Sequence, residues 1–173
     1  FTLLKTSYLK CFSRQILRSK YFINKTYLGK KNEIFLNLKL KNFPVYVDTN
    51  YDLIINNFDR DNLNLDYKCD DEFQQIIKKI IFKFIPSSYL ENFENLNTIL
   101  SSKILPQEPK VIFSSHLLND EILALYSAKK IEKNKTKLIY GQHGGVYGQY
   151  KFQTLADHEI ILSDKYLTWG WDK

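Results

Sequence analysis

Methionine is absent from all 173 residues, cysteine occurs twice, histidine three times, proline four times and glycine six times. Each scarcity removes something. Cys11 and Cys69 show no CxxC spacing, so neither a structural zinc site nor a redox pair is indicated. Two scattered thiols fit a reducing cytoplasm. No apolar run approaches the roughly 20 residues of a membrane-spanning helix. Lys5, Lys10 and Arg14 interrupt the first segment, so it lacks a signal-peptide core. The lack of methionine, and an end at Trp171-Asp172-Lys173 directly after an apolar strand-like run, lead to the expectation of a longer protein of which this chain is one part.

Hydrophobic residues make up 44% and charged residues 25%, which are globular values, and the length suffices for one real core. Net charge is +6 with a pI near 9.1. That balance suits anionic partners such as nucleotides, phosphorylated intermediates, acidic lipid or nucleic acid, without choosing among them. The positive excess runs from Lys5 to Lys41, where a solvated face is the commoner explanation.

The spacing of Leu9, Phe12, Ile16 and Leu17 predicts a basic helix over Thr6 to Phe22, packed on the core or lying on a membrane surface. Ile34 to Leu40 alternates apolar and polar residues and predicts a half-buried strand, with Val45-Tyr46-Val47 as another after Pro44. Asn50 to Asp66, rich in Asn and Asp, reads as irregular or weakly helical. Asp70 or Asp71 can cap a helix to about Phe84 whose Phe73, Ile76, Ile77, Ile80 and Ile81 form one buried face. Ser87 or Ser88 can cap another helix, with Tyr89, Leu90, Phe93, Leu96 and Leu100 inward. No repeat or linker appears, so one Rossmann-like domain over 1–173 is expected, with 1–68 its least patterned part.

From Pro109 strand and helix alternate. Lys110 to Ser114 predicts a strand, Ser115-His116-Leu117 its turn, and Asn119 the cap of a helix through Lys133 that ends at a left-handed Asn134. Leu138-Ile139-Tyr140 predicts a second strand, Thr154 to Leu162 a helix, and Tyr166 to Trp169 a third strand. A β-α-β-α-β run implies parallel strands joined by right-handed crossovers. The fold class is therefore α/β, a parallel sheet flanked by helices.

In such a sheet ligands gather outside the carboxyl ends of the strands. The residues there are Ser114-Ser115-His116, Gln142-His143-Gly144-Gly145 and Gly170-Trp171. Four of the six glycines lie in Gly141-Gln142-His143-Gly144-Gly145-Val146-Tyr147-Gly148. His143 can take a proton from a hydroxyl near neutral pH. Gln142 can orient an acceptor or a phosphate oxygen, and the Gly144-Gly145 backbone can cradle an anion. Neither a P-loop nor a dinucleotide fingerprint is present. A metal site from His116, His143 and His158 with Asp157 or Glu159 is a second possibility, although no HExxH spacing supports it. A nucleophilic Ser114 or Ser115 lacks the elbow glycines. Of His158 and Glu159, at most one should face the site. Tyr147 and Tyr150 could form a lid. Trp169 and Trp171 alternate, so one of them packs while the other borders a pocket.

The run Gly141 to Gly148, then His158-Glu159, then Ser163-Asp164-Lys165-Tyr166-Leu167-Thr168-Trp169-Gly170-Trp171, resembles a bacterial family of transferases found in surface-polysaccharide gene clusters. Pro86 to Glu91 and the Ser114-Ser115 segment are also similar to it. That family looks like part of the two-Rossmann-domain glycosyltransferase group, GT-B, whose glycerophosphate and capsule polymerases carry a comparable histidine–glycine turn. The resemblance implies the N-terminal half of a GT-B-like enzyme in surface-polysaccharide or lipopolysaccharide biosynthesis. His143 would be the catalytic base, and Gln142, Gly144, Gly145, Ser114, Ser115, His116, Glu159 and Trp171 would bind substrate. The donor-nucleotide domain would follow residue 173. Implied partners are a nucleotide-sugar donor and a carbohydrate or lipid-linked acceptor, with peripheral contact to an anionic inner membrane from the cytoplasm. No cofactor, metal ligand or nucleic-acid partner is implied. A non-catalytic carbohydrate- or phosphate-binding domain, or a histidine-ligated metal hydrolase, would be the alternatives.

Overall fold

The computed structural model describes residues 12–47, 49–51 and 58–171. In chain order its elements are β1 (Tyr21–Ile23), α1 (Lys30–Lys39), α2 (Glu72–Phe84), α3 (Phe93–Ser102), β2 (Val111–Ser114), α4 (Glu121–Asn134), β3 (Lys137–Gly141), α5 (Thr154–Leu162) and β4 (Lys165–Leu167). Single 3-10 turns cover Ser87–Tyr89 and Leu117–Asn119. The chain forms two compact units, Phe1–Thr49 with Ser101–Lys173, and Asn50–Leu100.

The first unit holds a four-stranded sheet in the order β1-β2-β3-β4, every pairing parallel. The α/β class expected from the alternating pattern is therefore what the chain adopts. Strand order follows chain order, so the described strands contain no point at which winding reverses, the feature that opens a crevice in doubly wound sheets. Ile112, Leu138 and Tyr140 on the central strands are buried, as are Ile122 and Leu123 of α4. Each such side chain contributes about 1.5–3 kcal/mol by leaving water. Tyr126 of α4 meets Phe22 edge-on at 5.1 Å and donates its hydroxyl proton to the Pro106 carbonyl at 2.8 Å.

The sheet begins earlier than the pattern suggested. Tyr21-Phe22-Ile23 is β1, and its Tyr21 lies opposite Val111; only 12–17 of the predicted helix is helical among the described residues, and 6–11 lie outside them. Three residues are too few to show a period of two against a helical run. β1 is an edge strand, and Asn42 covers it. The Asn42 amide accepts from Tyr21 N–H at 3.2 Å and donates to Tyr21 C=O at 2.8 Å, so one side chain imitates a neighbouring strand.

Ile34 to Leu40 is helical, against the expected strand. The residues of α1 that are not exposed are Glu33, Leu36 and Asn37, two of them polar. Glu33 bonds the Thr26 N–H and hydroxyl, and the buried Asn37 accepts from Asn42 at 2.7 Å. Ile34, Phe35 and Leu38 face solvent. Val45-Tyr46-Val47 pairs with no strand; Val45 is buried and Tyr46 exposed.

In the second unit Asp71 caps α2 by accepting from Gln74 N–H at 2.7 Å, as expected. The apolar stripe of α2 is not buried. Phe73 is 70% exposed, Phe84 77%, and Ile76, Ile77 and Ile80 are exposed as well. Ile81 is only half-buried. Residues 58–66 are irregular apart from a turn, and 52–57 lie outside the described residues. Arg60 clamps the end of α2, donating to the Phe82 and Ile85 carbonyls and pairing with Glu91 at 2.7 Å. A 3-10 turn occupies Ser87–Tyr89, and Leu96 is the buried residue of α3, while Tyr89 and Phe93 are exposed.

Candidate functional site

The exits of β1, β2 and β3 converge. β2 ends in Ser114 and Ser115, both buried. Ser114 Oγ accepts from His116 N–H at 3.2 Å, and Ser115 Oγ donates to the Thr26 carbonyl at 3.3 Å. These hydroxyls hold the turn that aims His116. Asn119 contacts His116 Nδ1 at 3.2 Å. The helix that follows is capped by Asp120, not Asn119, and its left-handed terminator is Lys135, one residue beyond Asn134. Asp120 serves twice, because it also pairs with Lys25 Nζ at 2.5 Å.

β3 runs one residue further than expected and ends in Gly141. A Cβ at Gly141 would lie 2.4 Å from Ser115 Oγ, so glycine there answers close approach. Gly144 admits the Tyr147 ring, whereas nothing crowds Gly145. The left-handed glycine of the turn is Gly148, and the Trp171 ring packs on it. Gln142 is buried. Its carbonyl oxygen accepts from Trp169 N–H at 3.0 Å and Trp171 Nε1–H at 2.8 Å, and its amide donates to Gly144 C=O at 2.7 Å. Gln142 and Trp171 thus knit the β3 and β4 exits together, and the oxygen expected to orient substrate is saturated.

His143 sits beside His116, the rings edge-to-face at 5.6 Å. Tyr147 Oη lies 3.0 Å from His143 Nε2 and donates to Glu159 Oε1 at 3.2 Å. Tyr147 is buried between the two, so it is a wedge and not the lid envisaged with Tyr150, which is exposed. Glu159 Oε1 lies 3.5 Å from His143 Nδ1, and Tyr166 donates to Oε2 at 3.2 Å. Of the α5 pair, Glu159 faces the site fully buried and His158 faces solvent.

Burial governs the protonation of this cluster. It pushes His143 below the ordinary imidazole value, opposed by a hydrogen bond to the Ser115 backbone. It lowers His116 too, helped by the positive neighbours His143 and Lys25. It raises Glu159, against hydrogen bonds from Tyr147, Tyr166 and Tyr140. The three tyrosines are raised in turn, first by burial and then by the carboxylate. For both imidazoles burial shifts the balance toward the neutral form.

Sequence reasoning missed the β1 exit. Lys25 and Tyr27 both have left-handed backbones, φ 51° and 60°, which costs about 1–2 kcal/mol each for residues with a Cβ. Tyr27 stacks on His143 at 6.0 Å and meets His116 edge-on at 6.0 Å. A three-residue strand left no signal for this exit. The Tyr147 contact was readable in principle as four residues beyond His143 in the glycine turn.

Among the described residues no group of three or more His, Cys, Asp or Glu side chains is arranged to hold a metal ion. Nor is any helix among them long and apolar enough to cross a membrane. Cys69 is a free thiol, and Cys11 lies outside the described residues. The family model described as LIC12162 family transferase matches residues 2–173. The chain belongs to the LIC12162 transferase family. No curated protein and no solved structure matches it.

Proposed function

We propose that this transferase moves a sugar from a nucleotide-activated donor to an acceptor hydroxyl in bacterial surface-polysaccharide biosynthesis, as the first domain of a GT-B-like enzyme. The donor domain would follow in the full-length protein. One observation carries the reading: two imidazole rings stand 5.6 Å apart, centroid to centroid, where adjacent parallel strands end, and burial favours their neutral form. A neutral imidazole can accept a proton from a hydroxyl as it attacks. His143 is the first candidate for that base. The acceptor oxygen would bond the anomeric carbon, its proton would pass to the imidazole, and the carbon–oxygen bond to the donor phosphate would break. The electron pair would leave on the nucleotide phosphate. Ser114, Ser115, Gln142 and Gly144 support this arrangement by fixing the turns.

Nucleotide release from a panel of nucleotide sugars, measured on the full-length protein with and without oligosaccharide acceptors, tests it. His143→Ala should abolish acceptor-dependent release while the circular dichroism spectrum is unchanged. Undiminished turnover removes His143 from the chemistry. No release from any donor would leave a carbohydrate- or phosphate-binding domain.

A further inference from the structure

A cavity of about 370 Å³ opens beside His116, bordered by Asn24, Lys25, Tyr27, Lys30, Glu33 and Tyr46. Its size lies in the lower range of small-molecule sites, roughly 300–1,000 Å³. No residue of the glycine turn lines it. The β1 exit and the start of α1 build it, the region whose sequence gave no functional signal.

Its charges cancel. Lys25 is bound to Asp120, and the Glu33 carboxylate is held by Thr26. Lys30 lies 5.6 Å over the Tyr46 ring. Two lysines, Lys25 and Lys30, stand against two carboxylates, Asp120 and Glu33, which leaves a phosphate little net attraction. What remains are the rings of Tyr27 and Tyr46, each 62% exposed although one face of Tyr27 stacks on His143 and one face of Tyr46 lies under Lys30. Around them stand an amide, ammonium groups, a carboxylate and an imidazole, a mixed set of donors and acceptors. A pyranose has the matching form, with apolar C–H faces and a rim of hydroxyls. Aromatic faces with a polar border suit such a ligand.

We infer that this cavity binds a neutral sugar ring, stacked on Tyr46 and Tyr27 with a hydroxyl at His116. On the glycosyltransferase reading, which this step rests on, the ring belongs to the acceptor. Tyr27 connects the cavity to His143, because the same ring lines one and stacks on the other. Occupancy is therefore felt at His143 without direct contact.

Saturation-transfer NMR on the full-length protein tests the site, with methyl α-glucopyranoside, methyl β-galactopyranoside, N-acetylglucosamine and rhamnose as probes and inorganic phosphate as the anionic comparison. At least one sugar should receive saturation at its ring C–H protons and shift the His143 imidazole signal. Tyr46→Ala should weaken that binding about tenfold, Tyr46→Phe should restore it, and Tyr150→Ala, off the cavity, should leave it unchanged. No transfer to any of the four sugars, or equal transfer to Tyr46→Ala, overturns the inference. So does phosphate, and not sugar, moving the His116 signal. The two readings fail separately. Sugar binding without nucleotide release leaves the cavity standing and removes the transferase reading. Nucleotide release with an acceptor KM untouched by Tyr46→Ala does the reverse.

Discussion

Removing a single oxygen, by Tyr147→Phe, probes the buried cluster most directly. The ring stays where Gly144 admits it, so packing is preserved. The lost hydroxyl is the donor to Glu159 Oε1 at 3.2 Å and the partner of His143 at 3.0 Å. It is also one of the hydrogen bonds that hold the Glu159 carboxyl down against burial. A hydrogen bond to an ionised group contributes about 1.5–3 kcal/mol, and one to a neutral group about 0.5–1.5 kcal/mol. The sign in pH follows. Glu159 has a folded pKa above its unfolded value, so its burial favours the fold fully below the unfolded pKa. That contribution is lost as pH rises through the folded value. Above it the carboxylate is charged and depends on its tyrosine donors. Tyr147→Phe should therefore cost about 1.5–3 kcal/mol on the alkaline side of the Glu159 titration and about 1 kcal/mol on its acid side. For a chain of this length each kcal/mol shifts the melting temperature by about 2–4 °C. Urea unfolding over a pH series, followed by fluorescence of Trp171, which packs on the same turn, reads the difference. A cost that does not change across the pH series would mean that the coupling of Glu159 to Tyr147 is misread.

Further substitutions separate geometry from sequence pattern. Gly141→Ala forces a methyl to 2.4 Å from Ser115 Oγ and 3.2 Å from the Phe113 ring, and should cost about 1–3 kcal/mol in a thermal melt. Gly145→Ala, with nothing within 4 Å, should change stability by no more than about 0.5 kcal/mol. Phe73→Ser and Phe84→Ser on the exposed stripe of α2 should each cost about 0.5 kcal/mol or less, while Ile122→Ala in the core should cost about 2–5 kcal/mol. A loss of core size at Phe73 would show that the stripe is covered in solution. Asn42→Ala uncovers the free edge of β1 and leaves Asn37 without its buried partner, for a loss of about 1–3 kcal/mol by urea titration.

The sequence by itself determined the second half of the sheet. Short apolar runs at Val111 and Leu138, each followed by polar turn residues and then a helical period, allow a parallel β-α-β-α-β arrangement, and local patterning suffices because each unit is contiguous. It placed His116 and His143 at strand exits for the same reason. Only the tertiary structure decided what lies across from them. Tyr21–Ile23 is a strand because Val111 and Asn42 flank it, and no property of three residues could report that. α1 is a helix because Glu33 and Asn37 have partners inside, which reverses the usual meaning of the exposed Ile34, Phe35 and Leu38. Glu159 counts at the site because Tyr147 and Tyr166 turn their hydroxyls to it, a meeting of separate elements. Periodicity records which face a segment turns inward when that face is apolar; where the inward face is polar, or the strand is shorter than its own period, the partners across the fold decide.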